Sequence, residues 1–300
     1  MSGRVSAGSG GRFRSIVTNP WSRPRFLWVV AIVYVVWTLL PVASAALFSF
    51  NSSRSISLWA GFSLRWWVGD PNESLLHDPD LRHAVLQSLR LAGGAVLIAV
   101  PLGVAFALAL DKWRGRGSGS ANFMMMFAFI TPELILAVAL FLLFINTFRS
   151  VGLGTTAQML GLVVLALPYP VVIVRARLLS LGPDYEEAAM DLGASPIEAL
   201  RRVTLPLLAP AIFASAAIIF AFTLDDFVMV QQLAKDGSNM TVAMAIYGAA
   251  RTAPSPAANA IGTLMLVAST VVIALAFVVY RRSTRLSGTR FRAEREALPV

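Results

Sequence analysis

The chain has no cysteine, which excludes disulfides, thiolate metal ligands and cysteine nucleophiles. Histidine is nearly absent too. His77 and His83 stand in a polar stretch at a spacing that does not bring two rings to one helix face, so no metal site is expected. Charge is also scarce: charged residues are 14% of 300, against roughly a quarter in a soluble domain. No Gly-x-x-x-x-Gly-Lys-Ser/Thr segment occurs, so the chain has no phosphate-cradling loop of its own. What is present in their place is hydrophobic residue, 57% of the chain. That surface suits lipid, which gives no reason to coat the outside with Lys and Glu. The net charge of +9 raises the question of nucleic acid. The basic residues, however, form short clusters between apolar runs, not one face interleaved with aromatics, and no nucleic-acid partner is expected.

Six stretches are long enough to cross a bilayer as helices, which takes about 20 apolar residues. They are Phe26–Phe48, His83–Leu110, Asn122–Thr147, Gln158–Val174, Leu205–Val230 and Ala257–Tyr280. The expected fold class is therefore an all-α integral membrane protein with six transmembrane helices. A cytoplasmic arm is expected over 1–25, a transmembrane domain over 26–282 and a loosely ordered tail over 283–300. The alternative for the first stretch is a leader cleaved near Ala43-Ser44-Ala45. Such a leader would be unusually long, and its removal would leave the other spans oriented as before. Lys and Arg set orientation. With the N-terminus inside, 18 fall on the cytoplasmic side, 6 outside, and Arg90 snorkels from the second span. Both termini and the 175–204 loop are thus expected in the cytoplasm. Trp59, Trp66 and Trp67 in the first outer loop suit a membrane interface. Met124-Met125-Met126 is read as packing between spans.

The loop between the fourth and fifth spans carries the densest local signals. Asp184, with Glu187 three residues on, predicts a capped helix start. That helix ends at Gly193, which can take a positive φ and turn the chain. Ser195-Pro196-Ile197-Glu198 is then a capping box with proline at the first helical position. Its helix runs to about Val203, ahead of Leu205-Pro206. The residues alone are compatible with a simple surface hairpin or with a docking knob.

The spacing Glu187-Ala188-Ala189, Gly193, Val203, Leu205-Pro206 resembles the signature of the binding-protein-dependent importer permeases. The family usually has isoleucine where this chain has Val203. The resemblance runs from the first span to Tyr280. Gly61-Phe62-Ser63-Leu64-Arg65-Trp66-Trp67 and Phe222-Thr223-Leu224-Asp225-Asp226-Phe227-Val228 are most similar to the spermidine/putrescine permeases, though permeases for iron(III), thiamine, opines or phosphonates share much of the pattern. The resemblance implies a permease subunit of the type I ATP-binding-cassette importer class in a bacterial inner membrane. It implies that Glu187, Ala188, Ala189, Gly193, Leu205 and Pro206 couple it to an ATPase. The implied partners are a second, homologous permease subunit, two ATP-binding subunits and an external solute-binding protein. ATP and Mg would belong to the ATPase, with no cofactor and no catalysis in this chain.

Three carboxylates fall in or near the apolar runs. Glu133, after Thr131-Pro132, lies about 16 Å into the third span at about 1.5 Å per residue. An acidic residue near mid-bilayer costs about 2.5–3.5 kcal/mol to insert. Asp225 and Asp226 lie near the outer end of the fifth span. One reading makes all three a cation path for a polyamine, with Phe222 and Phe227 offering ring faces to its ammonium groups. The other makes Glu133 protonated or a partner for backbone freed by Pro132, and Asp225 and Asp226 a polar helix end or partners of Arg90 or Lys235. A proton-coupled carrier using Glu133 or Asp225 is a further alternative, which the 187–206 signature disfavours. No nucleophile–base pair or metal constellation marks a membrane enzyme.

Overall fold

The computed structural model of the protein describes residues 25–296 apart from positions 56, 114, 116 and 253–255. The arm expected over 1–25 lies outside the described residues except for Arg25. The described residues form helices joined by loops, with an isolated antiparallel bridge between Asn51 and Phe62. Five stretches have the length and apolar composition to cross a membrane: Leu27–Phe48, Pro79–Lys112, Thr155–Leu181, Pro196–Leu224 and Pro256–Val278. A sixth arises if a sharply bent helix pair counts as one span.

Helix α1 (Arg25–Phe48) buries none of its apolar span and runs beside the last helix. Helix α2 (Pro79–Lys112) starts at Asp78, whose carboxylate accepts from the Asp80 and Leu81 amides. Proline at its first position needs no partner there. At about 1.5 Å per residue its 34 residues span about 51 Å, well beyond a hydrocarbon core of about 30 Å.

The third expected span is broken. Helix α3 (Ser118–Ile130) and helix α4 (Glu133–Asn146) meet at 105°. Thr131 precedes a proline, whose ring pushes it out of the helical region, and both Thr131 and Pro132 are extended (ψ 124° and 132°). Glu133 is therefore the first residue of a new helix, not a mid-span residue of a straight one. The fourth span is α5 (Thr155–Ala166) followed directly by α6 (Pro168–Leu181).

Next come α7 (Asp184–Asp191) and α8 (Pro196–Ala199), a π-helical turn (Leu200–Thr204) and α9 (Leu205–Leu224). Pro206 has no amide proton, and its ring crowds the preceding turn. A π turn there, with the Leu205 amide bonded back to the Leu200 carbonyl, carries the helix past the proline without a break. Pro196–Leu224 is accordingly one helical stretch. The fifth span stops at Leu224, not Val230, because Asp225 ends it and a separate short helix α10 (Val228–Leu233) begins. Helix α11 (Val242–Thr252) and helix α12 (Pro256–Glu296) complete the chain, and α12 carries helical backbone well into the expected tail.

The core lies where α2, α5, α6, α9 and α10 meet, around Leu91, Ala99, Leu162, Val171, Leu208 and Met229. Small residues let these backbones approach, since lipid offers helices no hydrophobic drive to associate. A Cβ on Gly103 would stand 2.2 Å from the Pro170 ring, so α2 and α6 can cross this closely only at glycine.

The segment 49–78 is a built cap. The Asn51 side chain donates to the Ser55 and Leu58 carbonyls and accepts from the Ala60 amide. Trp66 is fully buried against Ala257 and Ala260 and donates its ring N–H to the Asn51 carbonyl at 2.6 Å. It is thus a core residue, contrary to the interfacial role its type suggests. Trp67 stacks on Phe50 at 5.3 Å, and Trp59 remains 44% exposed. Asp70 accepts from the Asn72 and Glu73 amides and pairs with Arg65 at 2.8 Å. The amide bond from Asn72, then Arg65 and the Glu73 amide, pull its pKa from 3.8 to about 2.

Candidate functional site

Two clusters of residues singled out in the sequence have distinctive geometry. The first is the knob made by α7 and α8. Pro183, not Asp184, stands at the helix N-cap, and its carbonyl accepts from the Glu186 and Glu187 amides. Asp184 is the first helical residue and makes no side-chain cap. The turn after α7 is as expected. Gly193 has φ +92°, the Ala194 amide bonds to the Ala189 carbonyl at 3.1 Å, and the Gly193 amide bonds to Met190 at 2.9 Å. This paired closure satisfies the last carbonyls of the helix. Ser195 and Glu198 then form the full reciprocal capping box.

Glu187, Ala188 and Gly193 are exposed together at the knob, Ala189 is half-buried, and Leu205 and Pro206 stand at its foot. Two apolar residues flank the Gly193 turn in full view of solvent: Leu192 is 90% exposed and Ile197 77%. Sequence reading overlooked the pair, because one apolar residue on each side of a turn is ordinary until the turn's geometry shows both facing outward.

The second cluster is acidic. Glu133 begins α4, where the helix N-terminus favours a carboxylate. Asp226 sits between α9 and α10 at 6% exposure. Its Oδ1 accepts from the Met229 and Val230 amides at 3.1 and 3.3 Å, and its Oδ2 has no hydrogen-bond donor. Helix α4, which Glu133 opens, packs along α10, which Asp226 precedes. Two helix breaks, one after α3 and one after α9, thus each carry an acidic residue on neighbouring helices. Asp225 stands apart and exposed. Neither aspartate forms an ion pair with Arg90 or Lys235 among the described residues.

The two phenylalanines belong to different aromatic rows. Phe222 packs on Tyr169 at 5.3 Å, which packs on Phe129 at 5.5 Å. Phe227 packs on Tyr247 at 4.3 Å, and the Arg251 guanidinium already lies 4.8 Å over Tyr247. The Phe222 row carries no such cation contact among the described residues.

A buried amide network holds this region in place. Gln158, fully buried, donates to the Val230 carbonyl at 3.0 Å and the Asn239 carbonyl at 3.1 Å. Gln87 on α2 donates to Gln158 at 3.0 Å and to Thr155 at 2.9 Å. Helix α10, and with it Asp226, is tied to α2 and α5. Polar amides inside two apolar runs were the available signal. Gln158→Leu would leave these partners unsatisfied, at about 1–3 kcal/mol each. The detergent-solubilised variant is expected to unfold several degrees lower in a thermal melt.

Residues 99–286 match the family described as the inner membrane component of binding-protein-dependent transport systems. The putrescine transport system permease protein PotI of Escherichia coli is 32% identical over 265 residues, 86% of this chain and 92% of that protein. The spermidine/putrescine transport system permease protein PotC of Haemophilus influenzae is 31% identical over 261 residues, 86% and 98%. Among solved structures, a subunit of a bacterial alginate ABC transporter in complex with an alginate-bound periplasmic protein superposes with a TM-score of 0.68 at 17% identity, over 90% of this chain and 97% of that one. A chain of the MetNI methionine ABC transporter superposes at 0.55 and 17% identity, over 67% and 93%. These two likenesses speak to the fold.

Proposed function

The chain belongs to the family of binding-protein-dependent transport system inner membrane components, and from that premise we propose that it lines the path by which a polyamine enters a bacterial cell. As a member of that family it is a multi-pass inner-membrane permease subunit. The proposal adds the solute, the orientation and the partners. Both termini and the α7–α8 knob face the cytoplasm, where the surplus of Lys and Arg falls. The knob, with Glu187, Ala188, Ala189 and Gly193 at its tip and Leu205-Pro206 at its foot, docks on an ATP-binding subunit. Two such subunits, a homologous second permease and an external solute-binding protein complete the assembly, and ATP with Mg stays on the ATPase.

The observation that carries the polyamine reading is the buried Asp226 carboxyl, whose Oδ2 has no partner, at the head of a helix packed against the one that Glu133 opens. A polyamine is a chain of ammonium groups on an apolar stem. Carboxyls at two helix breaks and the Phe129–Tyr169–Phe222 row match both parts of it. An anionic solute such as a phosphonate would be repelled there. The kinship to putrescine and spermidine permeases supports the same choice.

The whole importer, reconstituted in proteoliposomes with ATP on the ATPase side, is expected to accumulate labelled putrescine or spermidine. Accumulation of thiamine or iron(III) with none of either polyamine would overturn the solute assignment.

A further inference from the structure

Helix α7 buries none of its residues, so core packing does not hold it to the spans. Its hold is polar and comes from Glu186, the residue before the motif glutamate. The Glu186 side chain is only 17% exposed. Its Oε1 pairs with the Lys112 ammonium at the end of α2. Its Oε2 accepts from the Thr204 hydroxyl at 3.4 Å. Thr204 is buried in the π turn that leads into α9. All three side chains line one cleft of about 470 Å³, with Leu178 and Met190 on its walls. Among the described residues, no other α7 side chain hydrogen-bonds to a span.

Each end of this contact leads to the acidic pair. Lys112 closes α2, and α2 carries Gln87, which holds Gln158 and through it α10. Thr204 opens the way into α9, and α9 ends at Asp225, next to Asp226. A carboxylate spanning a cleft to two separate helices ties all three so that they move together. Apolar contact across the same space would let them slide.

We propose that Glu186 is a positioning residue that locks α7 to α2 and α9, so that a displacement of the knob reaches both helices at once. This rests on the reading of the knob as the ATPase contact.

The test uses the whole importer in proteoliposomes and reads ATP hydrolysed per solute moved. Glu186→Ala and Lys112→Glu are each expected to raise that ratio about fivefold or more, the lower end of a typical coupling. The ATPase subunits should still copurify. The double variant Lys112→Glu with Glu186→Lys should bring the ratio most of the way back. A role in folding alone would lower hydrolysis and uptake together and leave the ratio unmoved. Glu186→Gln, which keeps size and the Thr204 bond, provides a readout if the alanine variant does not accumulate, and it too should raise the ratio. An unchanged ratio in these variants, or a swapped pair no better than its parents, overturns the proposal. Gly193→Val serves as the control. If it uncouples while the Glu186 variants do not, only this inference falls. If it too leaves the ratio unchanged, the knob is not the ATPase contact.

Discussion

Gly193→Val is expected to leave the subunit in the membrane and the partner ATPase active, while uptake falls about tenfold or more. Gly193 sits at φ +92°, a region that costs an ordinary residue about 1–2 kcal/mol and a β-branched residue more. Nothing lies within 4 Å of where its Cβ would stand. The damage is thus purely conformational. Relief of the strain breaks the Ala194–Ala189 and Gly193–Met190 bonds and re-aims α8 relative to α7. Asparagine tolerates this backbone region far better than valine. Gly193→Asn should therefore keep most of its uptake, a contrast that bulk alone would not produce. Normal uptake in the valine variant, measured beside ATPase activity, sinks the coupling assignment.

Asp226→Asn and Glu133→Gln are expected to cut polyamine uptake by about tenfold to a hundredfold each, as the loss of one charge-assisted contact of about 1.5–3 kcal/mol implies. The asparagine substitution is the informative one. Its side-chain carbonyl can still cap α10 through the Met229 and Val230 amides, so the local fold is kept and only the carboxyl is lost. A thermal melt close to the parent's, with uptake lost, separates the two roles. Asp226→Ala also gives up the cap and should destabilise by about 1 kcal/mol. Asp225→Asn is expected to do much less, since Asp225 is exposed and lies apart from the pair. Unchanged transport and unchanged solute preference in both main variants would end the cation-path reading.

The parts of this molecule that could be read from sequence are those governed by near neighbours. Ser195 and Glu198 cap each other because they are three residues apart, and Gly193 turns the chain because only glycine is at ease there. The knob follows from these two facts. The Asp184 cap was misjudged by one position because Pro183, already fixed in φ, takes the N-cap first. The 105° break was missed for a different reason. A proline inside an apolar run is compatible with a straight span, and only the surroundings decide whether Thr131 goes extended. Trp66 was hidden because its burial depends on Ala257 and Ala260 near the other end of the chain. The packing of α4 along α10 is likewise a tertiary fact. Sequence marked Glu133, Asp225 and Asp226 with equal weight, but could not say which aspartate would be buried.

The π turn at Leu200–Thr204 makes one continuous rod of what would otherwise be two helices parted at a proline. Its 29 residues measure about 43 Å at about 1.5 Å each. The short α8 is thus the handle of a lever whose far tip lies beside Asp226. A tilt of about 5° at the handle would swing that tip by about 4 Å. A small rotation at one end of the stretch would thereby become a displacement of several ångströms at the other.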